Sequence, residues 1–268
     1  MSDRRTLQEE LRDSGEVMSI AVPLADLRAA PDGKRDRQLV YGEDFRVVEV
    51  RGGWAYGSAQ KDGYAGYLRL ANLEAQREAT HFVSARSSHI YPAPDFKSEA
   101  IASLSFGSRL EVVGKGERFA ELAGGGFVPC PHIAPVDRLF DDPIEVAEQF
   151  MGVPYLWGGN SIWGLDCSGL VQVVLLACGV DCPGDADMQQ DRVGVAIGDN
   201  VKPQRGDLFF WKGHVGLIRD KNTLLHANAH HMAVVDEPLD QAIERIKAQG
   251  DGPVTGRQRW ISAAQMRT

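Results

Sequence analysis

The stretch Leu165-Asp166-Cys167-Ser168-Gly169-Leu170 places a cysteine three residues before the first of a series of apolar residues. The apolar positions that follow recur at three- and four-residue spacing as far as Gly179, which predicts a helix that begins near Cys167. The first turn of a helix stabilises a thiolate, because its backbone N–H groups and the helix dipole favour negative charge. Cys167 is therefore a candidate nucleophile, although a buried structural cysteine is the commoner role for a lone cysteine.

Two histidines further along the chain can supply the base that a nucleophilic cysteine needs. Three strands follow the helix, and they are predicted at 207–211, 214–219 and 223–228. With a turn at 220–222, Arg219 faces Thr223, so His214 and His226 become diagonal neighbours on one face of the hairpin. His226 could then orient His214 as the base that takes the thiol proton. A single histidine at this place would more often be a satisfied surface or core residue.

A metal site is the competing explanation for a group of cysteines and histidines. Cys178 lies on the apolar face of the predicted helix, and neither it nor Cys182 is followed by a histidine pair at zinc-finger spacing. The dipeptide His230-His231 is typical of a loop. The Gly-rich turn at 157–160 lacks the lysine and the spacing of a nucleotide-binding loop. We therefore predict no metal and no cofactor.

The charge and hydropathy of the whole chain exclude several classes of partner. The 268 residues carry a formal net charge of −8 and contain no dense block of Lys and Arg, which argues against nucleic acid. No apolar run is long enough to span a membrane. Residues 1–16 are charged and polar, without the apolar core of a secretory signal, so the expected location is cytoplasmic. The sequence leaves the oligomeric state open and is compatible with a monomer.

The first half of the chain contains a degenerate repeat of roughly 65 residues. In each copy, short β-branched or alternating runs are separated by Gly, Pro and Asp, which is typical of small all-β units. After an N-terminal segment at 1–16, the layout resembles two bacterial SH3-like barrels, barrel 1 at 17–75 and barrel 2 at 80–136. Two structural β-sandwiches without a binding role are the alternative.

A different pattern begins at residue 137. Asp142 and Pro143 open a stretch in which apolar residues recur at helical spacing from Ile144 to Met151. This helix, the helix after the cysteine and the three strands predict an α+β domain at 137–268.

Four motifs together resemble the NlpC/P60 family of papain-like cysteine peptidases. They occur in the family's order, and with Leu225-His226-Ala227 they cover residues 150–230: Pro154-Tyr155-Leu156-Trp157-Gly158-Gly159, Leu165-Asp166-Cys167-Ser168-Gly169-Leu170, Arg205-Gly206-Asp207-Leu208 and Gly213-His214-Val215-Gly216. The resemblance implies Cys167 as the nucleophile, His214 as the base and His226 as the third polar residue. It also implies a substrate, the stem peptide of peptidoglycan (murein).

The order of the predicted domains resembles one subgroup of this family, the γ-D-glutamyl-L-diamino acid endopeptidases that recycle murein peptides. In that subgroup the first barrel closes one end of the active-site groove, so peptides with a free N-terminal L-Ala are preferred. The matching positions here are Glu43 and Tyr64, and the carboxylate of Glu43 would neutralise the ammonium group of the substrate. An ordinary solvated turn residue is the alternative reading of Glu43.

The resemblance also implies a set of pocket-lining residues in the catalytic domain, namely Tyr155, Trp157, Asp166, Ser168 and Asp185. Two positions depart from the family pattern. Tyr67 stands where a Trp is common in these barrels, and the Gly-Asp-Ala sequence at 184–186 replaces a segment that usually contains Arg. Both departures affect the details of the pocket and leave the three catalytic positions unchanged.

Two other functions are compatible with the same motifs. An amidase or acyltransferase would use this fold on another acyl donor, which a groove closed by the first barrel disfavours. A wall-binding protein would carry the barrels beside an inactive peptidase domain, and the intact set of Cys167, His214 and His226 argues against it. Fast labelling by iodoacetamide at neutral pH would distinguish an activated thiolate from an inert thiol.

Overall fold

A computed structural model describes residues 3–261, and the boundary between its two units falls between Arg138 and Leu139. The first unit is built almost entirely of strands, whereas the second combines helices with a sheet. The predicted fold class, two small all-β barrels followed by a papain-like α+β domain, is therefore confirmed.

Barrel 1 is built on one sheet of seven strands. In its longest strand Phe45 and Val47 are buried and Arg46 between them is partly exposed, as period-two alternation requires. Gly42 and Gly63 have φ angles of +74° between strands, and glycine adopts this conformation without strain. The strands, in the spatial order β3-β2-β6-β5-β4-β1-β7, are β1 (Glu16–Ile20), β2 (Leu24–Arg28), β3 (Arg35–Val40), β4 (Asp44–Arg51), β5 (Trp54–Ala59), β6 (Ala65–Arg69) and β7 (Leu73–Ala75), with 3-10 helices at Glu9–Leu11 and Leu70–Asn72.

Barrel 2 has shorter strands, which form three small sheets around one apolar core. Gly107 has a φ angle of +84° at the position of the repeat that Gly42 occupies in barrel 1. The two copies therefore turn the chain in the same way. The strands are β8 (His81–Val83), β9 (Ser87–Ile90), β10 (Ala102–Ser105), β11 (Arg109–Leu110), β12 (Val112–Lys115), β13 (Phe119–Leu122), β14 (Phe127–Pro129) and β15 (Ile133–Pro135), with a 3-10 helix at Cys130–His132.

The described part of the second unit, residues 139–261, has a six-stranded antiparallel sheet and four α-helices. The helices are α1 (Pro143–Glu148), α2 (Cys167–Ala177), α3 (Ala186–Arg192) and α4 (Leu239–Ile246), the last continued by a π-helical segment at Lys247–Asp251. The sheet has the order β18-β23-β19-β20-β21-β22 and consists of β18 (Val195–Ala196), β19 (Leu208–Trp211), β20 (His214–Asp220), β21 (Thr223–Asn228), β22 (Ala233–Pro238) and β23 (Gly256–Arg259), while β16 (Asn160–Ser161) and β17 (Gly164–Leu165) form a separate hairpin. None of the helices within residues 3–261 combines the length and the apolarity that crossing a bilayer needs.

Both predicted helices begin at a capping aspartate. Asp142 accepts a hydrogen bond from the backbone N–H of Ile144 at 2.8 Å, and Pro143 occupies the first helical position. Asp166 caps α2 in the same way. In the first turn of this helix, a Cβ on Gly169 would lie 2.2 Å from the carbonyl oxygen of Gly159. Only a glycine therefore lets the helix start approach the Gly-rich turn this closely.

The hairpin of β20 and β21 differs in one detail from the sequence prediction. The predicted three-residue turn at 220–222 is wrong, because Asp220 pairs with Thr223 and leaves a two-residue turn. A β-bulge at Arg219 takes up the extra residue. Beyond the bulge the two strands have the predicted register, so both histidines lie on the same face.

Helix α4 covers the sheet face that carries the two histidines. Leu239 and Ile246 of α4 belong to one buried apolar cluster with Trp211 of β19 and Leu224 of β21. Leu224 precedes His226 by two residues and therefore points to the same side of the sheet. This packing brings the polar side chains of α4 close to the carboxyl-terminal part of β22.

Candidate active site

The start of α2 presents Cys167 beside the Gly-rich turn. Asp166 caps the helix, since its Oδ1 accepts a hydrogen bond from the backbone N–H of Gly169 at 2.6 Å. Its Oδ2 accepts another from the backbone N–H of Gly158 at 2.8 Å, and the hydroxyl of Ser168 donates to Oδ1 at 3.2 Å. One carboxylate therefore ties the turn to the helix and holds Cys167 in place.

A tight hairpin brings His214 towards Cys167. Trp211 pairs with His214 across a two-residue turn, in which Gly213 has a φ angle of +77°. The Sγ of Cys167 lies 3.9 Å from the carbonyl oxygen of Gly213, the residue that precedes His214. The rings of Trp211 and His214 are 5.7 Å apart. The indole therefore shields one side of the imidazole from water.

His214 and His226 are joined by a direct hydrogen bond. The Nε2 of His214 and the Nδ1 of His226 lie 2.9 Å apart, which matches the predicted diagonal placement. His226 is fully buried, and its Nε2 lies 3.1 Å from Oε2 of Glu237 and 2.9 Å from Nδ2 of Asn228. Because the Nε2 of His214 contacts His226, Nδ1 is the ring nitrogen left to face a thiol.

The surroundings of the two histidines keep both imidazoles neutral. Burial lowers the pKa of His214 to about 3, and the charges of His226 and Arg245 act in the same direction. Burial also lowers the pKa of His226, although its hydrogen bond to Glu237 acts against this. Burial alone would raise the pKa of Glu237, but hydrogen bonds from Arg245 and His226 hold it well below its usual range. At neutral pH two neutral rings therefore lie beside one ionised carboxylate.

Arg245 of α4 holds the carboxylate of Glu237 with two hydrogen bonds. The Nε donates to Oε1 at 2.8 Å and Nη2 donates to Oε2 at 2.6 Å, and Glu237 is 8% exposed. A continuous series of contacts thus runs from His214 through His226 to Glu237 and Arg245. Within residues 3–261, no group of three or more His, Cys, Asp or Glu side chains is placed to hold a metal ion.

Three more predicted pocket residues lie in the same unit. Tyr155 is half-buried and forms an isolated β-bridge with Leu165, two residues before Cys167. Burial, and then the charges of Cys167 and Asp166, raise the pKa of its hydroxyl. Trp157 is 69% exposed and leaves most of its indole available for a ligand. Asp185 precedes α3 and does not cap it with its side chain.

The remaining two predicted residues, Glu43 and Tyr64, belong to the first unit. Glu43 is bound in barrel 1, since its Oε1 lies 2.8 Å from Nζ of Lys61 and its Oε2 accepts the backbone N–H of Val40 at 2.9 Å. Tyr64 belongs to the apolar core of the same barrel. Glu43 is therefore not an ordinary solvated turn residue, because its carboxylate is ion-paired with Lys61 inside the barrel.

Three polar residues of the site were not predicted from the sequence: Asn228, Glu237 and Arg245. Asn228 follows His226 at the two-residue spacing of one strand face, and this spacing was a usable signal. Glu237 pairs with Leu224 across the strands, which places it diagonally to His226. Arg245 meets Glu237 only because α4 folds back on the sheet, so no local sequence signal links them.

Two family profiles match the chain. The profile described as NlpC/P60 family matches residues 152–246, and the profile described as bacterial dipeptidyl-peptidase Sh3 domain matches residues 27–73. The second match lies inside barrel 1. The two profiles follow the order that the sequence predicted.

Known proteins with similar sequences cover most of the chain. A protein of Bacillus subtilis (strain 168) named gamma-D-glutamyl-L-lysine dipeptidyl-peptidase is 30% identical over 216 residues, which are 71% of this chain and 71% of the relative. The protein of the same name from Bacillus cereus is 25% identical over 241 residues, 77% of this chain and 71% of the relative.

A solved structure has the same fold along nearly the whole chain. The crystal structure of an NlpC/P60 family protein from Bacillus cereus matches with a TM-score of 0.74 and 20% identity, covering 91% of this chain and 99% of that one. On the profile match, the identity to the B. subtilis relative and the shared fold, the chain belongs to the NlpC/P60 family of peptidases and carries a bacterial SH3 domain ahead of its peptidase domain.

Proposed function

We propose that the protein is a cysteine endopeptidase that hydrolyses the bond between γ-D-Glu and the diamino acid of murein stem peptides. The observation that carries this proposal is the hydrogen-bonded pair His214 and His226, 2.9 Å apart. The residue that precedes His214, Gly213, has its carbonyl oxygen 3.9 Å from the sulfur of Cys167. The two relatives named gamma-D-glutamyl-L-lysine dipeptidyl-peptidase support the choice of bond. An amidase or acyltransferase reaction and a wall-binding role are outcomes that the experiments below distinguish.

The proposed reaction proceeds through an acyl-enzyme on Cys167. Nδ1 of His214 takes the thiol proton, the sulfur attacks the γ-carbonyl carbon of D-Glu, and backbone N–H groups at the start of α2 hold the oxyanion. This attack forms a tetrahedral intermediate. Its collapse breaks the C–N bond to the diamino acid, and His214 gives the proton to the leaving amine. Water, deprotonated by His214, then attacks the thioester and releases the carboxylate and the thiol.

We propose that five side chains of the second unit contact the substrate. We assign contact with the stem peptide to Tyr155, Trp157 and Asp185. Tyr155 bridges to Leu165, two residues before Cys167, while Trp157 is exposed and Asp185 is partly exposed. We assign contact with the same peptide to Asp166 and Ser168 as well. Their side chains are hydrogen-bonded to each other at the start of α2.

Product analysis of a defined tetrapeptide tests the proposed bond. Incubation with L-Ala-γ-D-Glu-diamino acid-D-Ala should release two dipeptides, L-Ala-γ-D-Glu and diamino acid-D-Ala, identified by mass spectrometry. Peptides with meso-diaminopimelate and with L-Lys should be tested side by side. Release of free D-Ala, transfer to an added amine without hydrolysis, or binding without cleavage would each contradict the proposal.

The pH dependence of the reaction tests the neutral state of His214. A lowered pKa keeps this base unprotonated as the pH falls, so kcat/KM should change little between about pH 7 and about pH 5. The acid limb should lie below that range, and circular dichroism should verify that the fold persists there. An acid limb near 6.5, the ordinary pKa of histidine, would show that the imidazole is solvated.

We further propose that the enzyme requires a free N-terminal L-Ala, and that Glu43 and Tyr64 of barrel 1 contribute to this preference. Acetylation of that Ala removes a positive charge and adds bulk. We therefore expect kcat/KM to fall by at least about tenfold on acetylation, and intact sacculi to be poor substrates. Equal rates for the acetylated and the free tetrapeptide would identify a general wall endopeptidase instead.

Variants of Glu43 and its partner test the same preference. Glu43→Gln should weaken cleavage of the free-amine peptide and reduce the discrimination against the acetylated one, because a neutral amide does not prefer an ammonium group. Lys61→Met should keep or increase the discrimination, since the competing ammonium at Glu43 is removed. Glu49→Gln, an exposed carboxylate of the same barrel, is the matched control. Unchanged discrimination in Glu43→Gln would exclude this carboxylate from the preference.

A further inference from the structure

The Nε2 of His226 lies between two groups of opposite hydrogen-bonding character. Oε2 of Glu237, at 3.1 Å, can only accept a hydrogen bond while it is ionised, and Nδ2 of Asn228, at 2.9 Å, can only donate one. A neutral ring nitrogen carries either a proton or a lone pair. Only one of the two contacts can therefore be a good hydrogen bond at a time.

The amide of Asn228 cannot rotate to remove this conflict. Its Oδ1 accepts the backbone N–H of His231 at 2.8 Å and lies 3.0 Å from Nδ1 of the same residue. Exchanging oxygen and nitrogen would place an NH₂ group against that backbone N–H. The donor side of Asn228 is thereby directed at His226.

The choice between the two contacts decides whether His214 can act as a base. If Nε2–H of His226 donates to Glu237, its Nδ1 accepts from Nε2–H of His214, and the Nδ1 of His214 carries a lone pair. If Nε2 of His226 instead accepts from Asn228, each ring has the opposite tautomer, and the Nδ1 of His214 carries a proton. Only the first state can take a proton from Cys167.

The charge distribution favours the first state. Glu237 is 8% exposed and is held in its ionised form by two hydrogen bonds from Arg245 at 2.8 and 2.6 Å. A hydrogen bond to an ionised acceptor is about twice as strong as one between neutral groups, and Asn228 offers only a neutral donor. The groups that face His226 are thus Glu237, Asn228 and His214, with Arg245 and His231 behind them.

We propose that Glu237, held by Arg245, is a positioning residue that sets the tautomer of both histidines so that Nδ1 of His214 is unprotonated. The catalytic consequence rests on the proposed function of His214 as the base, whereas the tautomer itself is a property of the folded protein.

The tautomers can be measured without a substrate. Long-range proton–nitrogen NMR spectra of the full chain with ¹⁵N-labelled histidine, in a Cys167→Ala background, distinguish protonated from unprotonated ring nitrogens. Resonances are assigned with His214→Gln and His226→Gln. At neutral pH we expect an unprotonated Nδ1 and a protonated Nε2 on His214, and the reverse in Glu237→Gln. A His214 tautomer that is unchanged in Glu237→Gln would overturn the proposal.

A charge-relocating pair of variants gives the kinetic test. Glu237→Gln should lower kcat at least about tenfold with little change in KM, because substrate contacts remain while the base is lost. Adding Asn228→Asp moves the carboxylate to the other side of Nε2 of His226. The double variant should have a kcat at least about fivefold higher than that of Glu237→Gln alone. Glu244→Gln, an exposed carboxylate on α4, should leave kcat unchanged.

Stability and activity effects can be separated. If Glu237→Gln does not fold, Glu237→Met, which removes the acceptor without adding a donor, carries the same NMR and kinetic expectations. If Glu237→Gln lowers kcat at an unchanged melting temperature, and the added Asn228→Asp does not restore any of the loss, the proposal is contradicted. If the wild-type chain cleaves no murein peptide, the proposed function fails, yet the NMR spectra still decide the role of Glu237.

Discussion

Cys167→Ala should abolish hydrolysis of the tetrapeptide, with a loss of kcat of about 10³-fold or more and no change in fold. The sulfur of Cys167 lies at the capped start of α2, 3.9 Å from the carbonyl oxygen of Gly213. No other group of the proposed site can form the thioester. The measurement is steady-state turnover of the purified variant, with circular dichroism and thermal melting to verify the fold.

Cys178→Ala is the matched control for the thiol. Cys178 is 3% exposed, and burial raises the pKa of its thiol to about 12, so it stays protonated at neutral pH. Its removal should change activity by no more than a few-fold, and iodoacetamide should label the Cys178→Ala variant as fast as the wild type. Retained turnover in Cys167→Ala, or loss of turnover in a folded Cys178→Ala, would show that the wrong cysteine has been assigned.

His214→Gln should be inactive, with a loss of about 10³-fold, whereas His226→Gln should retain much more activity. A base must accept a proton, which an amide cannot do at neutral pH. A residue that orients the base needs only an acceptor, and the amide oxygen of Gln at 226 can accept the Nε2–H of His214. His226→Ala removes this acceptor and should be more harmful than His226→Gln.

The ranking of these variants is the test. The expected order of kcat is wild type, His226→Gln, His226→Ala and His214→Gln, measured at one pH with melting temperatures for each. His226 is fully buried, so the variants at this position also report packing. If His214→Gln is more active than His226→Gln, the two roles are exchanged.

The candidate site could be predicted from the sequence because its signals are local. An aspartate that precedes a helical apolar run, as at Asp166, is a capping signal, and it located the start of α2 at Cys167. The diagonal relation of His214 and His226 followed from counting along one hairpin. The count tolerated a wrong turn length, since the bulge at Arg219 restored the predicted register. The repeat in the first half likewise indicated two all-β modules through its turn glycines.

The partners of these residues were decided only by the tertiary structure. Glu237 reaches His226 because a third strand pairs with β21, and Arg245 reaches Glu237 because the apolar side of α4 packs on the sheet. Lys61 meets Glu43 across barrel 1, 18 residues along the chain. Such contacts depend on which distant segments pack together, and period and capping signals reach no further than one element or one hairpin. Local sequence signals thus determined the positions of the proposed nucleophile and base, whereas the carboxylate proposed to set the histidine tautomers reaches them only through long-range packing.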